Sequence, residues 1–181
     1  MLMAASRNGT GEPMPAANEL EGMLRIASGL REGGRYLEAI TAYEAVLRTA
    51  PRLAASWYNL GLCQRMSGRF EAALRSYEKS IELGLEGAEE AHLNRAVIFS
   101  DALRRDADAE QELKQALKLN PAYTPALLNL ANLHEDIGRR AEAIELYERA
   151  LLLDPTCWTA LARLGNLLPR GEALAAVLPR L

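Results

Sequence analysis

The chain has 181 residues, 49% of them hydrophobic and only 6% aromatic, with a formal net charge of −3. That length can bury a real core, while a balanced surface without clustered Lys and Arg gives no field to draw in nucleic acid or an anionic membrane. No run of about 18 apolar residues is present, so no membrane span is expected, and the dominance of Ala, Leu, Glu and Arg predicts an all-α protein.

In chain order, residues 1–17 mix Gly, Pro, Asn and Ser without a signal-peptide apolar core and read as a flexible leader. Residues 18–157 then repeat. Alanines lead each unit at Ala39, Ala73, Ala109 and Ala143, with steps of 73 − 39 = 34, 109 − 73 = 36 and 143 − 109 = 34. Tyr43, Tyr77, Leu113 and Tyr147 follow in step, and Pro51, Leu85, Pro121 and Pro155 close the units. Two extra residues within GLEGAEE are expected to absorb the longer step.

A second periodic segment precedes each alanine set: Met23, Ile26, Ala27 and Leu30; Trp57, Leu60, Gly61 and Gln64; Leu93, Ala96, Val97 and Ser100; Leu127, Leu130, Ala131 and His134. Spacings of three, four and seven place each set on one helical face. Each unit is therefore predicted to be two short helices, with boundaries near 20–53, 54–87, 90–123 and 124–157. Gly34, Gly68 and Gly138 fall at the turn inside a unit, where positive φ is needed. The third unit departs, with Val97 where the small glycine would sit and Arg104 at the turn.

Over residues 158–181, Trp158, Leu161, Leu164 and Gly165 begin a further first helix. Pro169 then blocks continuation, and GEALAAVLPRL is too short for a full partner helix. This predicts a partial fifth repeat or capping helices, with Leu174, Val177 and Leu178 exposed.

The pattern resembles the tetratricopeptide repeat, a 34-residue helix pair with Trp, Leu-Gly, Tyr, Ala, Phe and Pro at set places. The closest stretch is SWYNLG continuing through SGRFEAALRSYEKSIEL, and the resemblance covers roughly Leu20 to Cys157. It implies a right-handed α-solenoid, or superhelix, of about four helix pairs plus C-terminal capping helices. It also implies a concave groove lined by first helices.

Helical geometry of about 100° per residue turns Asn59 roughly 200° from Trp57 and so away from the core. The same position falls at Arg25, Arg95, Asn129 and Arg163, and three residues on lie Ser28, Leu62, Ile98, Asn132 and Asn166. In some members of the family asparagines at this slot hold peptide backbone; Asn59 and Asn129 match, and Asn94 lies close by. An amide that donates and accepts suits an extended backbone, and arginines suit carboxylates. With Met66 and Ala102, Leu62 and Ile98 form an apolar stretch for one or two aliphatic side chains or a short amphipathic helix. The expected ligand-binding residues are Asn59, Leu62, Met66, Asn94, Arg95, Ile98, Asn129, Asn132, Arg163 and Asn166. A two-carboxylate clamp for chaperone tails is disfavoured, because Leu24, Ser28 and Ala91 stand where its Lys and Asn would fall.

Catalytic groups, metal ligands and cofactors are not expected. His92 and His134 are 42 residues apart, HEDIG lacks a metalloprotease's second histidine, and no phosphate-binding glycine loop occurs. Trp57 and Trp158 read as core packing, His134 as a core-facing histidine, and Cys63 as a small apolar filler. Cys63 and Cys157 have no metal or redox spacing, so reduced thiols in a cytoplasmic protein are expected. These readings point to a non-catalytic scaffold that binds a protein or peptide partner. Two others remain open: the N-terminal substrate-recruiting region of a larger transferase, and a homo-oligomer assembled through terminal helices.

Overall fold

The structure is a computed structural model and describes residues 17–168. The leader up to residue 16, and Pro169, Leu174, Val177 and Leu178, lie outside the described residues. The architecture is all-α, of the α-solenoid type, and the chain divides into two units at residues 91 and 92.

In unit 1, α1 (Ala17–Glu32) pairs with α2 (Tyr36–Thr49), and α3 (Ala54–Met66) with α4 (Phe70–Glu82). Small side chains let the partners approach. Ala39 and Ala73 are fully buried, and Gly61 lies so close to the Tyr77 ring that a Cβ there would stand 2.9 Å from Cδ1. Tyr43 and Tyr77 fill the space each hairpin encloses and are wholly buried. Trp57 packs partly buried against this core and donates its indole N–H to the Pro51 carbonyl at 2.8 Å. Its structural reading therefore holds.

The division falls within α5 (Ala88–Val97), which in unit 2 runs into a π-helical segment, Ile98–Ala102, followed by α6 (Asp106–Leu119). Then come α7 (Thr124–Asp136), α8 (Arg140–Leu153) and α9 (Trp158–Leu167). Ala109, Ala143 and Tyr147 are again fully buried, with Leu113 in the tyrosine's place in the third pair.

The third pair corrects the register. In α3 the buried set includes Ser56, Leu60, Gly61, Cys63 and Gln64, and in α7 it is Ala126, Leu127, Leu130, Ala131, Leu133 and His134. In between, the buried residues are Ala91, Ala96, Ile98 and Phe99. The shift is therefore 96 − 61 = 35 and 131 − 96 = 35, rather than 36 then 34. A π turn holds one residue more than an α turn, and the Leu103 N–H reaches back to the Ile98 carbonyl at 3.1 Å. Of the two extra residues, one thus sits in this turn and only the other in the preceding loop. Ala96, not Val97, occupies the place of Gly61.

The turns inside the pairs place Gly34, Gly68 and Gly138 at φ of 71°, 73° and 79°. Arg104 takes the same left-handed conformation at φ 55° without glycine's freedom. Its neighbour Arg105 lays its guanidinium 4.8 Å from the Phe99 ring centre.

One expectation fails at the far end. Trp158 is 78% exposed on the first turn of α9, and Leu152 and Leu153 of α8 are exposed too. The buried face of α9 is Ala160 and Leu164, and the α9 axis carries Trp158 off that stripe. Its size suggested a core role; its register denies one.

Candidate functional site

The first helices expose the stripe opposite their buried one, and register decides which residues stand there. With the 35-residue step, Asn59, Asn94 and Asn129 hold equivalent places on α3, α5 and α7, since 94 − 59 = 35 and 129 − 94 = 35. All three are half-buried. Equivalence of Asn94 to the other two is invisible while the third repeat is read one residue out.

The same correction moves two expected ligand contacts. Ile98 is 1% exposed, equivalent to Cys63 and Leu133, and packs inward rather than facing a ligand. Arg95 falls at the core place of Leu60 and Leu130. Its guanidinium pairs with Glu112 of α6 at 2.9 Å, and the other carboxylate oxygen lies 2.7 Å from His92 Nδ1. An ion pair with side chains 12–16% exposed thus stands where neighbouring repeats bury leucine. Arg95 is spoken for inside the fold. Of the apolar stretch, Leu62 and Ala102 are half-buried and Met66 exposed.

Unit 2 brings several expected residues together. Asn129, Asn132 and Arg163 line an open depression of about 620 Å³, with Ser100, Asp101, Arg104, Asp106 and Asp136 around them. Sequence reasoning missed these acidic residues because each alone looks like a solvated helix end. Asn166 on α9 is exposed and lies outside that lining.

Hydrogen bonds orient the two amides. Asn129 donates from Nδ2 to the Pro125 carbonyl at 2.8 Å, leaving Oδ1 and a second N–H for another partner. The Tyr147 hydroxyl lies 2.6 Å from Asn132 Oδ1 and 3.0 Å from Glu135 Oε2. The hydroxyl has one proton for these two acceptors, and with its Oδ1 against the hydroxyl Asn132 has its NH₂ turned away from Tyr147. Arg163 reaches Glu135 at 3.5 Å, with its side chain 47% exposed. One amide thus offers an acceptor and its neighbour a donor, the two halves of a peptide unit's requirement.

Unit 1 carries Asn59, Leu62 and Met66 on α3, and the equivalent stripe of α1 carries exposed Arg25 and half-buried Ser28. Ser28 Oγ and the Tyr43 hydroxyl are 3.3 Å apart. Among the described residues the Tyr77 hydroxyl and Arg65 Nε are buried without a hydrogen bond of good geometry, although the Arg65 guanidinium lies close enough to act on the phenol. Burial raises the Tyr77 pKa above the ordinary tyrosine value, and the Arg65 guanidinium only partly offsets this.

His134 is buried as expected, with Nε2 3.3 Å from Glu110 Oε1. Lys114 and then His134 and Arg139 hold the Glu110 carboxyl below its ordinary pKa, against the effect of burial. Burial raises the Cys63 thiol pKa, as befits an apolar filler. Among the described residues no group of three or more His, Cys, Asp and Glu could hold a metal ion, and no helix is long and apolar enough to cross a membrane.

Family models described as tetratricopeptide repeat match residues 24–84 and 67–124, and another of that description matches 105–168. A tomato (Solanum lycopersicum) relative, "Probable UDP-N-acetylglucosamine--peptide N-acetylglucosaminyltransferase SPINDLY", is 29% identical over 108 residues, 60% of this chain and 11% of that protein. The chain therefore spans only a small part of this relative's length. Among solved structures, MamA superposes with a TM-score of 0.74 at 22% identity, covering 91% of this chain and 87% of its own. YrrB, described as a TPR protein with an unusual peptide-binding site, gives 0.67 at 19%, covering 87% and 80%.

Proposed function

Because the chain belongs to the tetratricopeptide repeat family, we propose that it is a non-catalytic scaffold binding an extended segment of a partner protein along the outward stripe of its first helices. The observation that carries the reading is the pairing of Asn129 and Asn132 in one open depression. The first keeps an oxygen free and the second is turned to present its NH₂. Backbone recognition of this kind asks little of the guest's sequence. The mixed rim of Asp101, Asp136 and Arg163 then selects guests that place a cation and a carboxylate in reach. Asn59, Leu62 and Met66 give unit 1 a more apolar stretch of its own, and Asn94 extends the amide pattern. YrrB, a neighbour in fold, has a peptide-binding site, which supports the class of ligand.

The test uses extended peptides selected from a random library on the whole chain. Asn129→Ala and Asn132→Ala should each weaken the selected peptide by about 1–3 kcal/mol, the cost of leaving a buried peptide group unpaired. Unchanged affinity in both variants contradicts the reading.

A second reading rests on the likeness to the transferase-named relative: the repeats recruit substrate for a catalytic domain encoded further along. Sequencing the reading frame beyond codon 181 decides it. A transferase domain there supports it, and a stop codon removes it.

A further inference from the structure

Unit 1 has a second cavity, on neither of the outward stripes just described. It is a groove of about 620 Å³ between α2 and α4, floored by Trp57, Leu60 and Gln64 of α3. Leu47 forms one wall, and Ala72 and Ser76 the other.

Its depth has a local cause. The step from α4 to α8 is 143 − 73 = 70, so Ser76 and Ala72 correspond to Leu146 and Glu142. Leu146 is 7% exposed and carries four side-chain carbons at the corresponding place of unit 2. In unit 1 a serine stands there, and its hydroxyl is drawn down onto Gln64 Oε1 at 2.7 Å. Ser76 and Gln64, 4% and 7% exposed, form the bottom of the groove. Trp57 supplies an aromatic edge to it while its N–H is already satisfied by Pro51.

Charge distinguishes the groove further. Arg48, Arg75 and Lys79 stand on its rim against a single carboxylate, Glu44. Lys79 has Glu82 at 2.9 Å, while Arg48 and Arg75 have no ion pair among the described residues. The corresponding place to Arg75 in unit 2 is Glu145, of opposite sign.

We infer that this groove is a docking site for an acidic amphipathic helix of a partner protein, separate from the peptide stripe. Its walls are helical on both sides, Glu44, Leu47 and Arg48 of α2 and Ala72, Arg75, Ser76 and Lys79 of α4 recurring at three- and four-residue spacing, which suits a helix laid into a groove. Leucines at three- and four-residue spacing pack on Leu47, Leu60 and the Trp57 edge, and flanking carboxylates meet Arg48 and Arg75.

The probe is a synthetic capped helix of about four turns with Leu at that spacing and Glu on its flanks, together with its Lys counterpart, titrated into the whole chain by anisotropy. We expect micromolar binding of the Glu helix that weakens with salt, and at least tenfold weaker binding of the Lys helix. Ser76→Leu, which places in the groove the side chain that Leu146 has, should abolish binding. Arg75→Glu, exposed and neutral to the fold, should weaken it about tenfold or more, and Asn129→Ala should leave it unchanged. Equal binding of both helices, no binding, or binding indifferent to Ser76→Leu and Arg75→Glu overturns the inference. Loss on Asn129→Ala alone places the helix on the peptide stripe and overturns it too. The amide reading of unit 2 survives any of these except the failure of its own peptides.

Discussion

Tyr147 sets its hydroxyl 2.6 Å from Asn132 Oδ1 and so fixes which way that amide faces. A core residue thereby orients a surface one, and the two must be perturbed together. Tyr147→Phe removes the hydroxyl, whose one proton Asn132 and Glu135 share, while keeping the ring. Stability should fall by about 1–2 kcal/mol in urea titration, and peptide affinity should fall with it as Asn132 becomes free to flip. Unaltered affinity would detach the core from the site.

Close packing at Gly61 has a measurable cost of its own. A methyl group there would meet the Tyr77 ring at 2.9, 3.0 and 3.2 Å, and Tyr77 is fully buried with nowhere to move. Gly61→Ala should destabilise by about 1–3 kcal/mol despite the better helix propensity of alanine. A melting temperature at or above that of the parent would show that the hairpin can open.

The cluster of His92, Arg95 and Glu112 separates two meanings of a part-buried ion pair. Glu112→Gln leaves the Arg95 charge without its carboxylate and should cost about 1–3 kcal/mol. Replacing both Arg95 and Glu112 by Leu, the residue found at the equivalent Leu60 and Leu130, should be neutral or stabilising. Denaturation of the two variants side by side checks the sign.

Arg104 holds φ at 55° where the other pairs use glycine. Arg104→Gly should raise stability by about 0.5–1 kcal/mol by removing the left-handed penalty. A loss would mean that the arginine side chain stabilises the turn by more than its backbone costs.

The pH profile follows from groups whose shifts have opposite signs. Burial raises Tyr77 and Tyr147 above the ordinary value of 10.0, so the neutral phenols contribute stability that is intact below pH 10 and lost as pH climbs through and beyond it. Glu110, held down chiefly by Lys114 and then by His134 and Arg139 against the effect of burial, contributes above its ordinary 4.5 and loses this as pH falls through its lowered value. Denaturant midpoints should therefore plateau near neutrality and drop on both flanks, with Glu110→Gln flattening part of the acid limb. Tyrosinate absorbance should stay short of its full count until the chain unfolds.

The repeat was legible because proline, alanine and tyrosine mark the second helices at fixed intervals, and the family match extends over the same residues. The third first helix was not. A π turn carries no glycine or proline to announce it, so one extra residue hid inside Ile98–Ala102 and displaced Arg95, Ile98 and Val97 by one position each. The Arg95 and Glu112 pair lies across two helices, 17 residues apart, beyond the reach of any local pattern. Trp158 misled for another reason: its bulk argued for burial, whereas the α9 stripe runs through Ala160 and Leu164. The groove of unit 1 had a visible signal in Ser76 standing where Leu146 stands two repeats on, a comparison made only once the cavity is seen.

The central claim is that side-chain amides of the first helices hold a guest's backbone. It is tested most directly by following the side-chain N–H resonances of Asn59, Asn94, Asn129 and Asn132 while a library-selected peptide is titrated into the labelled chain. The account predicts that Asn129 and Asn132 shift in a saturable manner and that methylating the guest's backbone nitrogens at the contact abolishes the shift. Saturating peptide that leaves all four amides unmoved, with its effects confined to other faces, would contradict it.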